Sequence, residues 1–295
     1  MRHTVLAILL CFALTLAAQE VPLCRGGLST HTGVPVGDAD TVAASLDTLK
    51  ARGITALRIE LRGPLALERL DTLLVLTDKA AMAVTLAVPD TLLSALGLDA
   101  VTGRAASHSV KTWTLMRTAT TPADTLLRQV RALAAATPAA RHGVSFVSAG
   151  ETLFQLVVSE PCVDYLGLRL GYEDQRWASR DRVREAIGQV FSRMPDVLHN
   201  ALRQLELADK PLVIDYVNYP RDRAAHYPGT PVSMRNNVVN YVQHLAGGWP
   251  GKIAAFYVGD WTGDTSFLPY PPTETLYNSD DTIWLIAGQT PSEAQ

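Results

Sequence analysis

The sequence predicts an α/β chain that closes into a (β/α)8 barrel, and three observations lead there. Eight short apolar segments recur along the chain, separated largely by stretches of helical periodicity, and parallel strands need such crossover helices. Acidic residues stand at or just past the ends of several segments, at Glu60, Glu151, Asp215 and Asp260, the end where barrel enzymes carry their chemistry. The turn Arg25 to Leu28 does not match a dinucleotide-binding glycine fingerprint, which weighs against the alternative of a doubly wound sheet.

The first strand is placed over Pro22 to Leu28, and Val42, Leu46 and Leu49 after it share one helical face. Ile54 to Glu60 is the second strand, with Arg58 and Glu60 on the same side by the two-residue period. Met82 to Val88 is the third. Val110 to Met116 is the fourth, although the same residues also read as a loop element. Val144 to Ala149 and Val163 to Leu170 are the fifth and sixth. The long span from Gln175 to Lys210 has room for an irregular strand or insertion. Pro195 divides it into helices over Arg180 to Arg193 and Asp196 to Leu207. Val183, Ile187 and Val190 share a face of the first of these. Leu212 to Val217 is the seventh strand, Val238, Tyr241, Val242 and Leu245 mark the next helix, and Ile253 to Val258 is the eighth strand. A short helix containing Ile283 and Leu285 precedes a loose tail.

The chain therefore divides into an export signal at 1–18, one barrel domain at 20–288 and a tail at 289–295. Arg2 and His3 precede an apolar stretch from Val5 to Leu16, and Ala17 and Ala18 offer a cleavage region. Ile8, Leu9 and Leu10 before Cys11 lack the small residue that precedes a lipidated cysteine, so soluble export is expected, to the periplasm or the medium. No second stretch is long and apolar enough to hold the mature chain in a membrane. A formal net charge of -3 gives no broad attraction to polyanions, and nucleic-acid binding is not expected. Export would permit Cys24 and Cys162 to pair, and two separate buried thiols fit the sequence as well.

Hydrolysis of a glycosidic bond needs one carboxyl that donates a proton to the leaving oxygen and a second carboxylate that attacks carbon or activates water. Glu151 and Asp215 are the best pair for it, with Arg58 positioning charge and Glu60 as a third carboxylate. Glu173, Asp174 and Asp260 are alternative partners. Each has a plain structural reading too: Glu151 as a helix cap, Asp215 as an ion-pair partner of Arg58. Sugars present polar edges and apolar faces, so a groove profits from aromatics beside hydrogen-bonding groups. Tyr172, Trp177, Tyr216, Asn218, Asp260 and Trp261 supply that mixture, Trp261 being the best single platform. Tyr216 also reads as an outward residue, packed on helices opposite Asp215. The histidines at 31, 108, 142, 199, 226 and 244 are dispersed, without His-x-His or His-Glu-x-x-His spacing. There is no Gly-x-Ser-x-Gly elbow and no Walker sequence. Neither a metal nor a cofactor is expected.

Several segments resemble the large superfamily of TIM-barrel glycoside hydrolases that use two carboxylates. GITALRIE is similar to its second-strand pattern, with Arg58 where an active-site arginine stands, and the AGE of Ala149 to Glu151 resembles the Asn-Glu ending of the acid-base strand. VDYLGL resembles a following strand, KPLVIDYVNYP the nucleophile strand, and Ile253 to Trp261 the last strand with its stacking tryptophan. The chain departs from the pattern in having Gly150 in place of Asn and Asp215 in place of Glu. The segment count makes the Glu151 strand the fifth, whereas the resemblance makes it the fourth. The resemblance implies a secreted, cofactor-independent glycoside hydrolase acting on an oligosaccharide or polysaccharide. The shorter Asp215 makes a water-mediated inverting reaction as credible as a retaining one. The departures leave open a non-catalytic carbohydrate-binding barrel.

Overall fold

Among the described residues each of the first five strands is followed by at least one helix, as parallel pairing of neighbouring strands requires. The computed structural model describes residues 26–33, 39–63, 65–108, 110–118, 121–146, 151–170, 209–217 and 251–259, together with 203, 239, 242, 243, 246, 247, 249, 261, 263 and 287. In chain order the elements are β1 (Gly27–His31), α1 (Ala39–Ala51), β2 (Ala56–Glu60), α2 (Ala66–Lys79), β3 (Ala83–Pro89), α3 (Asp90–Leu96), α4 (Leu98–Ala106) and β4 (Val110–Met116). They continue with α5 (Ala123–Ala136), β5 (Arg141–Phe146), α6 (Glu151–Val158), β6 (Tyr165–Leu170), β7 (Leu212–Val217) and β8 (Ile253–Val258). All eight strands pair in parallel and in sequence order, and β8 returns to β1 to close the barrel. The expected (β/α)8 architecture is the one observed.

The helices show why periodicity was informative. On α1, Val42, Leu46 and Leu49 are buried as expected, and on α5 the spacing of Leu126, Val130 and Leu133 turns one face to the strands. Acidic residues open α2 and α5, at Glu68 and Asp124, where they complement the helix dipole, and Lys79 closes α2. Each buried leucine contributes roughly 1.5–3 kcal/mol through removal of apolar surface from water. Among the described residues no helix is long and apolar enough to cross a membrane.

Two strands lie elsewhere than expected, for one reason. β1 is Gly27–His31 rather than Pro22 to Leu28, and β5 is Arg141–Phe146 rather than Val144 to Ala149. Each includes polar residues that an apolar-run criterion passes over. Ser29, Thr30, His142 and Ser145 are all buried, and each has a hydrogen-bond partner there. The segment Val110 to Met116, also readable as a loop, is strand β4.

Inside the barrel, Tyr165, Val213 and Tyr257 pack with Ala56 and Ala255 as a floor. The phenol oxygens are satisfied: Tyr257 shares a 2.8 Å hydrogen bond with Thr85, and Tyr165 one of 2.6 Å with Thr114. Burial raises the pKa of both phenols, so they remain neutral. A cavity of about 440 Å³ opens at this end, lined by Met82, Thr85, Lys111 and Tyr257 among others. The β1–β8 seam pairs Gly27 with Tyr257 and Leu28 with Val258. Above these the seam is completed from beyond β8: Trp261 N–H donates to the Ser29 carbonyl at 2.8 Å, and Thr30 Oγ1 donates to the Trp261 carbonyl at 2.8 Å.

The export signal at 1–18, the tail at 289–295 and Cys24 lie outside the described residues. Cys162 is a free thiol in contact with Glu160 Oε1 at 3.5 Å, and burial pushes it above the usual thiol range.

Candidate active site at the C-terminal mouth

The two-residue period of β2 directs Arg58 and Glu60 into the barrel, one above the other. Arg58 is the centre of the site. Its Nε donates to Asp215 Oδ1 and its Nη2 to Asp215 Oδ2, both at 2.9 Å, a two-pronged pairing between β2 and β7. Nη1 donates at 3.0 Å to Glu60 Oε2 and at 3.0 Å to Ser29 Oγ, while Met116 Sδ lies 3.2 Å from Nη2. Ser145 Oγ on β5 adds a 2.9 Å bond to Asp215 Oδ2. Arg58 and Asp215 are 0% exposed. Burial disfavours the charge on Arg58, but the carboxylates of Asp215 and Glu60 outweigh it and hold the guanidinium above its ordinary range.

Glu60 is held from three sides. Arg62 Nε donates to its Oε1 at 2.5 Å, and Arg58 Nη1 and Arg169 Nη1 donate to its Oε2 at 3.0 and 2.9 Å. Burial pushes this carboxyl up, and the three guanidiniums outweigh burial and hold it well below the usual carboxylate range. Glu60 is therefore an ionised acceptor and not a proton donor. Arg169, on β6, also contacts Met116 Sδ at 3.3 Å.

Tyr216 is adjacent to Asp215, and successive strand residues ordinarily face opposite sides. Here both reach Arg58. The register of β7 against β8 shifts between Ile214 and Val217, and that of β6 against β7 between Leu168 and Arg169. The resulting irregularity turns the Tyr216 ring under the guanidiniums, its centroid 5.8 Å from Arg58 and 4.9 Å from Arg169. The reading of Tyr216 as an outward residue is thereby corrected. Gly259 makes room for the ring: a Cβ there would lie 2.5 Å from Tyr216 Cε2.

The site thus unites Arg58, Glu60, Asp215 and Tyr216 of the residues expected from sequence. Trp261 is nearby in the fold but is 1% exposed and packs in the core, so its ring is not the open sugar platform expected; its backbone bonds to β1 draw it inward. Glu151 opens α6, whereas β5 ends at Phe146. The expected strand-end position of Glu151 is therefore corrected to a helix start, and its side chain lies outside the described residues. The strand before it is the fifth, as counted. The fourth ends at Met116, followed by Arg117. Tyr172, Glu173, Asp174, Trp177, Asn218 and Asp260 lie outside the described residues. Sequence reasoning missed Arg169, Arg62, Ser145, Ser29 and Met116. Arg169 had a signal, since it shares strand parity with Tyr165 and Gly167 on β6. Among the described residues no group of three or more His, Cys, Asp or Glu side chains is arranged to hold a metal ion.

No family model matches the chain, and no curated protein matches it. Solved structures do. A glycoside hydrolase family 5 mannosidase from Rhizomucor miehei is similar at 13% identity over 91% of this chain and 92% of that one, with a TM-score of 0.61. A mutant family 5 mannosidase from the same organism, in complex with mannosyl-fructose, is 13% identical over 90% and 92% of the two chains, with a TM-score of 0.58. The chain also spans 61% of the length of a conserved Enterococcus faecalis protein of unknown function, at 13% identity and a TM-score of 0.49. At such identity the shared property is the architecture: this chain is a closed, all-parallel TIM barrel of the kind on which the mannosidase is built.

Proposed function

We propose that the protein is a secreted glycoside hydrolase that cleaves an oligosaccharide or polysaccharide at the C-terminal mouth of the barrel. The observation that carries the reading is the buried Arg58–Asp215–Glu60 network. Buried ion pairs contribute little net stability, and well-packed apolar residues in their place are often neutral or stabilising. Charge retained at this depth, at the end of the barrel where such folds carry catalysis, is best understood as serving a ligand. The full-length likeness to a mannosidase barrel supports a saccharide as that ligand.

In this reading Glu151 supplies the proton. Its carboxyl donates to the leaving glycosidic oxygen as the bond to the sugar carbon breaks, and Asp215 attacks that carbon or takes the proton of an attacking water. Arg58 fixes Asp215 through two bonds and Ser145 through a third. Asp215 is fully enclosed in the resting structure, so it has to exchange a bond, most simply that of Ser145, to meet substrate or water.

That same enclosure favours a second reading, a non-catalytic carbohydrate-binding barrel in which Asp215 only neutralises Arg58. A panel of glycans assayed for new reducing ends separates the two. Hydrolysis predicts released sugar, abolished by Asp215→Asn and by Glu151→Gln in proteins whose circular dichroism is unchanged. Activity that persists in both variants would sink the assigned pair, and glycan binding without any cleavage supports the second reading.

A further inference from the structure

We propose that the reaction at this mouth inverts the sugar carbon, and that Ser145 on β5 positions the water that attacks it. The inference rests on the hydrolase reading above and adds the course of the reaction to it. Arg58 grips Asp215 Oδ1 and Oδ2 at 2.9 Å each, from Nε and Nη2 of one rigid plane. The carboxylate is thereby fixed in direction. Swinging it toward a sugar would break two charge-assisted bonds at a 0% exposed residue. Aspartate is also shorter by one methylene than a glutamate on the same strand would be. A sugar ring is too large to reach an oxygen so enclosed, whereas a water takes up only about 30 Å³.

Among the described residues, Ser145 supplies the one uncharged donor to Asp215, its Oγ 2.9 Å from Oδ2. Of the bonds on the carboxylate it is therefore the least costly to exchange. A hydroxyl donates and accepts by turning about one bond, so Ser145 can release Oδ2 to a water and bind that water itself. The neighbouring strand leaves room for the turn. Gly167 of β6 pairs in register with Ser145, and a Cβ there would lie 2.9 Å from Ser145 Cβ and 3.1 Å from its Oγ. In the step itself the water oxygen bonds to the sugar carbon and one water proton passes to Asp215 Oδ2. The bond to the leaving oxygen breaks with its electron pair going to that oxygen, which takes the proton of Glu151. Attack from the face opposite the leaving group inverts the carbon in one displacement, and no bond forms between sugar and protein.

Proton NMR of the full chain acting on β-linked oligosaccharides of mannose, glucose, xylose and galactose reads which anomer is released first, before mutarotation. The α anomer is expected. Ser145→Ala should lower kcat about tenfold or more, the size of a hydrogen bond to a charged group, with KM little changed. Ser145→Thr, which keeps the hydroxyl, should recover most of that loss. Gly167→Ala, which leaves the serine in place but crowds it, should lower kcat in the same way. A purely structural role would lower stability and leave kcat per folded molecule as it was. Release of the β anomer first overturns inversion and leaves the hydrolase reading standing. An undiminished kcat in Ser145→Ala, or no recovery in Ser145→Thr, overturns the part given to Ser145. Should Ser145→Ala not fold, the anomer released by the parent chain decides inversion and Gly167→Ala decides the part of Ser145. Release of sugar from none of these substrates overturns both this inference and the hydrolase reading.

Discussion

Arg58 and Asp215, on strands β2 and β7, meet through two parallel 2.9 Å hydrogen bonds across the interior of the barrel. Neither side chain reaches solvent, so each depends on the other for its place in a low-dielectric interior. Removing one partner exposes the cost of burying the other.

Arg58→Met should therefore lower stability by about 3–5 kcal/mol, since Asp215 and Glu60 would stay buried opposite an apolar side chain. Urea unfolding measures it. The double variant Arg58→Met, Asp215→Asn should recover part of the loss, because the uncompensated charge is gone; a double variant no more stable than Arg58→Met would argue against the pairing as the cause.

Acid should weaken the fold partly through Glu60. Its folded-state value lies well below the ordinary range because of the three guanidiniums, against the opposing effect of burial. A depressed carboxylate contributes stability that is complete above its unfolded value of about 4.3 and is lost as pH falls from there toward the folded value. The stability of Glu60→Gln should accordingly fall less steeply below about pH 4.3 than that of the parent chain, as read from urea midpoints across the acid range.

Trp261→Ala is expected to cost about 3–5 kcal/mol of stability, the consequence of emptying a large buried site. A sugar platform would behave otherwise. If thermal unfolding were unchanged and only glycan affinity fell, the ring would have to be open to ligand in solution.

Gly259→Ala should displace the Tyr216 ring, since the added methyl would lie 2.5 Å from it. Overpacking of this kind costs about 1–3 kcal/mol. Thermal unfolding of the variant beside the parent chain measures it.

The architecture was legible because the helical stripes and most strands are apolar in the expected rhythm; Val42, Leu46 and Leu49 are an example, buried as their spacing implied. The errors cluster where the barrel interior is polar. Ser29, His142 and Ser145 belong to strands whose buried partners are charged or hydroxylic, and hydropathy alone cannot distinguish such residues from a loop. Arg58, Glu60 and Asp215 were legible as strand-end charges. That Tyr216 joins them was not, because strict alternation turns it outward and only a register shift between neighbouring strands brings it back. Trp261 illustrates the converse: an aromatic after a strand suggests a ligand platform, but backbone hydrogen bonds to β1 fold it into the core.

The stitching of Ser29 and Thr30 to Trp261 also sets a timetable. β1 is made before the other described strands, and Trp261, which clasps it, follows Thr30 by 231 residues, so this seam stays open until Trp261 has been made. At ordinary rates of synthesis that interval is on the order of tens of seconds. Throughout it the first strand carries an unpaired edge, open to mispairing with any other extended segment. A chain shortened just before Trp261 would retain all eight described strands and still lack its clasp.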